Sequence, residues 1–82
     1  MYDGEWFEGT KHGYGILKFA NGDEYTGGFK EDVMNGKGRY LYKNGDRFEG
    51  TWRDGKKNGR GEFYGVDGRM IIGEWTDDKY SV

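Results

Sequence analysis

Cysteine and proline are both missing from this chain of 82 residues. The first absence removes disulfides and thiolate metal ligands, and it fits a reducing compartment. The second leaves no position barred from donating a ladder hydrogen bond. Long apolar runs are missing as well: nothing approaches the roughly 18 apolar residues of a membrane-spanning helix. The opening MYDGEWFEGT has no basic segment leading into an apolar one, so no secretory leader is expected. Basic charge is not in excess either. Thirteen Lys and Arg stand against 15 Asp and Glu, for a formal net charge of -2, and a general electrostatic hold on nucleic acid is not expected. Together these absences point to one small domain, residues 1–82, in a soluble cytoplasmic protein that binds no nucleic acid.

What is present is concentrated. Hydrophobic residues make up only 33% of the chain, a level that suggests disorder, yet aromatic residues alone make up 18% and there are 17 glycines. The apolar area is carried by a few large rings, on a backbone free to adopt unusual conformations.

Glycine pairs such as Gly13 and Gly15 in GYGILKFANGD raise the question of a phosphate-cradling loop. Such a loop occurs once and opens a helix. Here GYG, GKG and GRG occur in turn, and each leads into an alternating segment. The segments YDGEW, YTGGF, FEGTW and IIGEW begin at Tyr2, Tyr25, Phe48 and Ile71, a constant step of 23 residues. Gly4, Gly27, Gly50 and Gly73 keep that step, as do Gly15, Gly38 and Gly61 and also Gly22, Gly45 and Gly68. The chain is therefore an internal repeat with units 2–24, 25–47 and 48–70 and a half unit 71–82.

Within YDGEW the large residues alternate with others, which is the period of a strand. Tyr2, Gly4 and Trp6 share one face. In the next segment Gly13, Gly15, Leu17 and Phe19 share a face, and Tyr14, Ile16 and Lys18 take the other. The spacing predicts strands over 2–6, 13–19, 25–29, 36–42, 48–52, 59–65 and 71–75, with polar loops after the first strand of each unit and no helix. The expected fold is all-β: an elongated single-layer twisted antiparallel sheet built as a meander of hairpins. At Ala20-Asn21-Gly22 a two-residue turn would bring Lys18 opposite Tyr25 and mix charge into the rings. A three-residue loop pairing Phe19 with Asp23 keeps the rings on one side, and so does a five-residue loop pairing Phe19 with Tyr25. In either register Gly13 or Gly15 leaves room for Phe29, an aromatic ring covering bare strand backbone.

Little here suggests reaction chemistry. His12, the one histidine, stands where later units carry Asn35 and Asn58, which points to a turn hydrogen bond. No Cys or Ser is placed to act with it as a nucleophile. Asp23 and Asp46 recur after Asn-Gly without the ligand density of a calcium loop, and so read as turn residues. Asp77 and Asp78 read as a solvated end. Arg53, Lys56, Lys57 and Arg60 form a local basic cluster, read as a solvated loop in preference to a lipid-headgroup or acidic-peptide contact. Tyr14, Ile16, Leu41 and Tyr64 interrupt the polar pattern on the face opposite the rings, either as a second contact patch or as scattered surface residues.

The units YDGEWFEGTKHGYGILKFANGD, YTGGFKEDVMNGKGRYLYKNGD and FEGTWRDGKKNGRGEFYGVDGR resemble MORN repeats, whose pattern is Tyr-x-Gly-x-Trp, a short loop, then Gly-x-Gly. The resemblance implies a sheet curled so that its aromatic face lines a groove, and a scaffold role. Similar proteins organise membrane junctions, the cytoskeleton and cilia, bind partner proteins, or sit beside catalytic domains. The pattern falls on Tyr2, Gly4 and Trp6; Tyr25, Gly27 and Phe29; Phe48, Gly50 and Trp52; and Gly73 and Trp75. Phe29 stands for the usual Trp and Ile71 for the usual Tyr. Asp32 stands where Gly9 and Gly55 do, so the second loop is expected to differ in shape.

The candidate partner-binding groove is thus lined by Tyr2, Trp6, Tyr25, Phe29, Phe48, Trp52 and Trp75. A single sheet has no second layer, and a half unit leaves an uncapped end. The groove or a sheet edge is therefore expected to be covered by another chain in a hetero-complex. The expected function is a noncatalytic scaffold module with no cofactor and no metal. It would accept a protein segment in the groove or a strand at the edge, within a cytoskeletal or ciliary assembly. The alternative is a lipid-associated module, or a regulatory one serving a kinase or methyltransferase on another chain.

Overall fold

The computed structural model describes residues 1–81, and these form one antiparallel sheet. Its eight strands are β1 (Tyr2–Phe7), β2 (Thr10–Lys18), β3 (Glu24–Lys30), β4 (Val33–Leu41), β5 (Arg47–Arg53), β6 (Lys56–Tyr64), β7 (Met70–Thr76) and β8 (Lys79–Ser81). They lie side by side in chain order, so the fold is a pure meander in a single layer measuring 39 × 23 × 15 Å, and the sheet does not close into a barrel.

The connections within units are tighter than the sequence suggests. The expected polar loops are strand: β1 and β2 meet at a two-residue turn, Glu8-Gly9, with Phe7 opposite Thr10. Glu31-Asp32, Asp54-Gly55 and Asp77-Asp78 repeat it, and every one of these residues has positive φ. Such a pair matches the twist of the flanking strands. Asp32 (φ 74°) reproduces the geometry of Gly9 (φ 81°), so the second turn has the same shape as the first and not the different one expected. Aspartate tolerates this conformation because its short carboxylate can bond locally. The carboxylate adds a bond: Asp32 Oδ1 accepts the Lys11 N–H at 2.7 Å, and Asp78 Oδ1 accepts that of Lys57 at 2.8 Å. Asp78 is a staple between units, and the reading of it as a merely solvated end does not hold.

The connections between units settle the register. Phe19 N–H donates to Asp23 O at 2.9 Å and Gly22 N–H to Phe19 O at 3.1 Å, with Gly22 at φ 102°. This is the three-residue loop, which places Leu17 opposite Tyr25. The same bonds recur at Tyr42 and Gly45 and at Gly65 and Gly68. Asp23 and Asp46 do more than turn the chain. Asp23 Oδ1 accepts the Lys43 N–H at 2.8 Å, and Asp46 Oδ1 accepts that of Val66 at 3.0 Å, so each turn is tied to the next.

Glycine organises the sheet by close approach. Gly4, Gly15, Gly27, Gly38, Gly50, Gly61 and Gly73 are successive cross-strand partners, forming one unbroken row across β1 to β7. The first ring of each unit lies over this row. A Cβ on Gly15 would meet the Tyr2 hydroxyl at 2.5 Å, one on Gly38 would collide with Tyr25, and one on Gly61 with Phe48. The ring over Gly15 is therefore Tyr2 and not the expected Phe29. Tyr2 is two residues from Gly4, the partner of Gly15, and so lies diagonal to it, within reach of a long side chain. Gly13 (φ 75°) instead marks a bulge, where β2 carries two more residues than β1 between Gly4/Gly15 and Trp6/Lys11. An even insertion conserves side-chain parity, so Lys11 and Leu17 both remain on the ring side.

Gly38→Ala is expected to cost ~3 kcal/mol or more, because the added methyl must displace the Tyr25 ring. Gly9→Ala has open space around it and should cost only the left-handed strain, ~1–2 kcal/mol. Urea denaturation of the two variants checks that order.

Candidate functional site

Burial divides the seven expected groove rings into two groups. Tyr25 and Phe48 are 0% exposed, Trp52 3% and Phe29 4%, and these four are the core. Tyr2 and Trp75 are half-buried, and Trp6 is 58% exposed. The structure nonetheless brings all seven into one chain of edge-on contacts. In order it runs Trp6, Tyr2, Phe29, Tyr25, Trp52, Phe48, Trp75, with centroids 5.0, 5.1, 5.2, 5.4, 5.5 and 5.1 Å apart. Edge-to-face is the arrangement that ring quadrupoles favour. Tyr80 continues the chain from Trp75 at 5.1 Å.

The polar ends of Tyr2, Tyr25 and Trp52 are tied to backbone, whereas the buried Trp75 Nε1 has no hydrogen-bond partner among the described residues. Tyr25 Oη donates to Gly28 O at 3.0 Å, and Trp52 Nε1 donates to Gly38 O at 3.2 Å. Burial, more than any neighbouring charge, pushes the Tyr25 hydroxyl well above the ordinary tyrosine value.

A second file of rings, outside the expected site, covers the flank. Phe19 stacks on Tyr40 at 5.6 Å, Tyr40 meets Tyr42 at 4.8 Å and Trp52 at 5.8 Å, and Tyr42 approaches Phe63 at 6.1 Å. The signal for it was available: Leu17, Tyr40 and Phe63 keep the same step as the first file. The Tyr40 hydroxyl donates to Asp23 Oδ2 at 2.7 Å. That bond, ahead of the Lys43 N–H, holds the Asp23 carboxyl below its ordinary value. Burial first, then the same bond, pushes Tyr40 up.

Other residues singled out from the sequence are dispersed. His12 lies in β2, its ring 5.4 Å from that of Phe7, in place of the expected turn bond. The basic cluster is split. Arg53 and Lys56 flank the Asp54-Gly55 turn, Lys57 lies over the rings, and Arg60 lines a depression of about 430 Å³ on the opposite face. On that face Tyr14, Ile16 and Leu41 are exposed. Tyr64 is covered by the Arg47 guanidinium, 4.3 Å from its ring centroid.

A repeating ring over a repeating glycine, on hairpins of constant length, is a family signature. The family model described as the MORN repeat matches residues 2–24, 25–47 and 48–68. The chain belongs to the MORN-repeat family. A search of curated proteins finds no match. As a MORN-repeat protein it is a noncatalytic protein-binding module. The described residues contain no group of three or more His, Asp or Glu side chains suited to a metal ion.

Trp52→Ala removes a core ring and should cost ~3–5 kcal/mol. Trp6→Ala should cost no more than about 1 kcal/mol, since most of that ring already meets water. Thermal or urea unfolding distinguishes them. The raised Tyr25 and Tyr40 values predict an alkaline limit as well. The fold favours the neutral hydroxyls, so their contribution is complete below the ordinary value of 10.0 and is lost as pH climbs above it. Absorbance titration should show both phenols resisting ionisation until the protein unfolds.

Proposed function

We propose that this MORN-repeat chain serves as a scaffold module in a cytoskeletal or ciliary assembly in the cytoplasm, and that a partner segment docks at its β1 end. One observation carries the reading. Trp6, 58% exposed, ends the ring chain, and Phe7, 57% exposed, stands on the opposite face of the same strand, which is one of the two edges of the sheet. A partner strand added along β1 gains main-chain hydrogen bonds there. A tryptophan beside that edge supplies the kind of anchor that dominates interface energies. The buried rings Tyr25, Phe29, Phe48 and Trp52 keep the platform rigid, while Tyr2, Trp6 and Trp75 offer area to a partner.

The lipid alternative draws less support from the structure. Lys57 turns onto the rings and Arg60 onto the opposite face, so the third-unit cations present no single basic surface.

Crosslinking with mass spectrometry in native extract tests the proposal. Wild-type protein should give crosslinks to a cytoskeletal or ciliary protein concentrated at β1. A Trp6→Ala, Phe7→Ala double variant with unchanged unfolding should lose most of them. Crosslinks confined to β7 and β8, or undiminished in the variant, would refute docking at β1.

A further inference from the structure

Position 11 of the chain recurs as Lys11, Met34, Lys57 and Tyr80, and each of these side chains lies against the aromatic face. Lys57 is the exceptional member. Its Nζ stands 5.3 Å from the Phe48 ring centroid, 5.5 Å from Trp75, 5.6 Å from Tyr42 and 5.8 Å from Trp52. Four rings, two from β5, one from β7 and one from the connection after β4, thus converge on one ammonium, each within the roughly 6 Å at which a cation is drawn to a ring face.

No carboxylate lies within ion-pair distance of Lys57 among the described residues, whereas Lys11 Nζ has Asp32 Oδ1 at 3.8 Å. The backbone of Lys57 is fixed on both sides by Asp78, whose carboxylate accepts its N–H at 2.8 Å and whose own N–H donates to its carbonyl at 3.0 Å. The ammonium of this half-buried lysine is therefore held over the rings by its strand and attracted by their π faces. Phe48 and Trp52 are buried, so the site is largely formed by groups whose positions the core already dictates.

We propose that Tyr42, Phe48, Trp52 and Trp75 form a binding site for an alkylammonium group, of the lysine or N-methylated lysine class, that this chain fills with its own Lys57. The site goes beyond the proposed scaffold role and does not rest on it. One unit earlier Met34 takes the equivalent place, where the ring positions carry Phe19, Tyr25, Phe29 and Trp52, so an uncharged chain of similar length fits there and the charge is particular to Lys57. Methyl groups on the nitrogen would retain the charge and weaken its hydration, which suits a ring-lined site. A second alkylammonium enters only by exchange, so the resident side chain lowers apparent affinity in proportion to its occupancy.

The test uses tetramethylammonium chloride as the probe, with sodium chloride as the ionic-strength control and tryptophan fluorescence as the readout. Lys57→Ala should respond saturably to tetramethylammonium, wild type should bind at least about tenfold more weakly, and Lys57→Met should not respond. A Lys57→Ala protein with native circular dichroism and no saturable response overturns the proposal. Should that variant fail to fold, wild-type protein is reductively methylated with ¹³C-formaldehyde. The Lys57 dimethylamino resonance, assigned by its loss in Lys57→Arg, should then lie upfield of those of the other lysines because of the ring currents. Its coincidence with the solvent-exposed lysines overturns the proposal equally.

Discussion

An aromatic ring resting on backbone that carries no side chain is the contact on which this protein depends. A single-layer sheet has no opposing sheet or helix to bury its face, so side chains must bury one another and the strands beneath them. Tyr2 over Gly15, Tyr25 over Gly38 and Phe48 over Gly61 accomplish this within each unit. The absent Cβ allows the ring to lie against the main chain, where contact area lost to glycine is restored. The ring and the glycine have no separate value, because either alone would leave exposed backbone or an unsupported side chain. The same contact also fixes register, since sliding one strand by a residue would place a ring over a side chain instead of a gap.

Propagation between units is achieved by different chemistry. Rings extend the apolar face, but the hairpin tips at both ends are joined by carboxylates that reach across to the next unit's or the previous unit's backbone. Asp23 and Asp46 act at one end, Asp32 and Asp78 at the other. Each is an exposed charge-assisted bond to a main-chain N–H, of a kind stronger than its neutral equivalent. These bonds satisfy donors near the strand ends that the ladder does not reach. The apolar contacts supply cohesion across the sheet, and the acidic staples hold the angle at which successive hairpins meet.

Most of the architecture was legible from residue spacing. A step of 23 residues with alternating rings and glycines admits a hairpin repeat and little else. Three things were not legible, each for a physical reason. Glu31-Asp32 and Asp77-Asp78 do not look like two-residue turns because the usual glycine is missing, and only the backbone shows that aspartate takes its conformation. The diagonal placement of Tyr2 over Gly15 depends on the register of β1 with β2, which the tight Glu8-Gly9 turn sets and which the expected polar loop left open. The division of the seven rings into four buried and three accessible depends on position along the stack. Trp6 and Trp52 occupy equivalent places in their units, yet one lies at the end of the ring chain and the other at its centre.

That last distinction bears on how a MORN-repeat sheet can bind anything. A repeat suggests that every unit offers the same site, yet equivalent residues differ in what already touches them. In the middle units the rings are closed by neighbouring rings and by the side chains of Met34 and Lys57, so a ligand there must displace a resident group. At the first unit Trp6 has Tyr2 on one side and Lys11 above it, and 58% of it remains exposed. The interior of the array is therefore suited to exchange of one side chain for another, which demands specific chemistry from the incoming group. Its end is suited to addition, which demands only complementary shape and free strand hydrogen bonds. On the proposed readings, one repeated unit would thus support two modes of recognition, exchange where the rings are covered and addition where Trp6 is exposed.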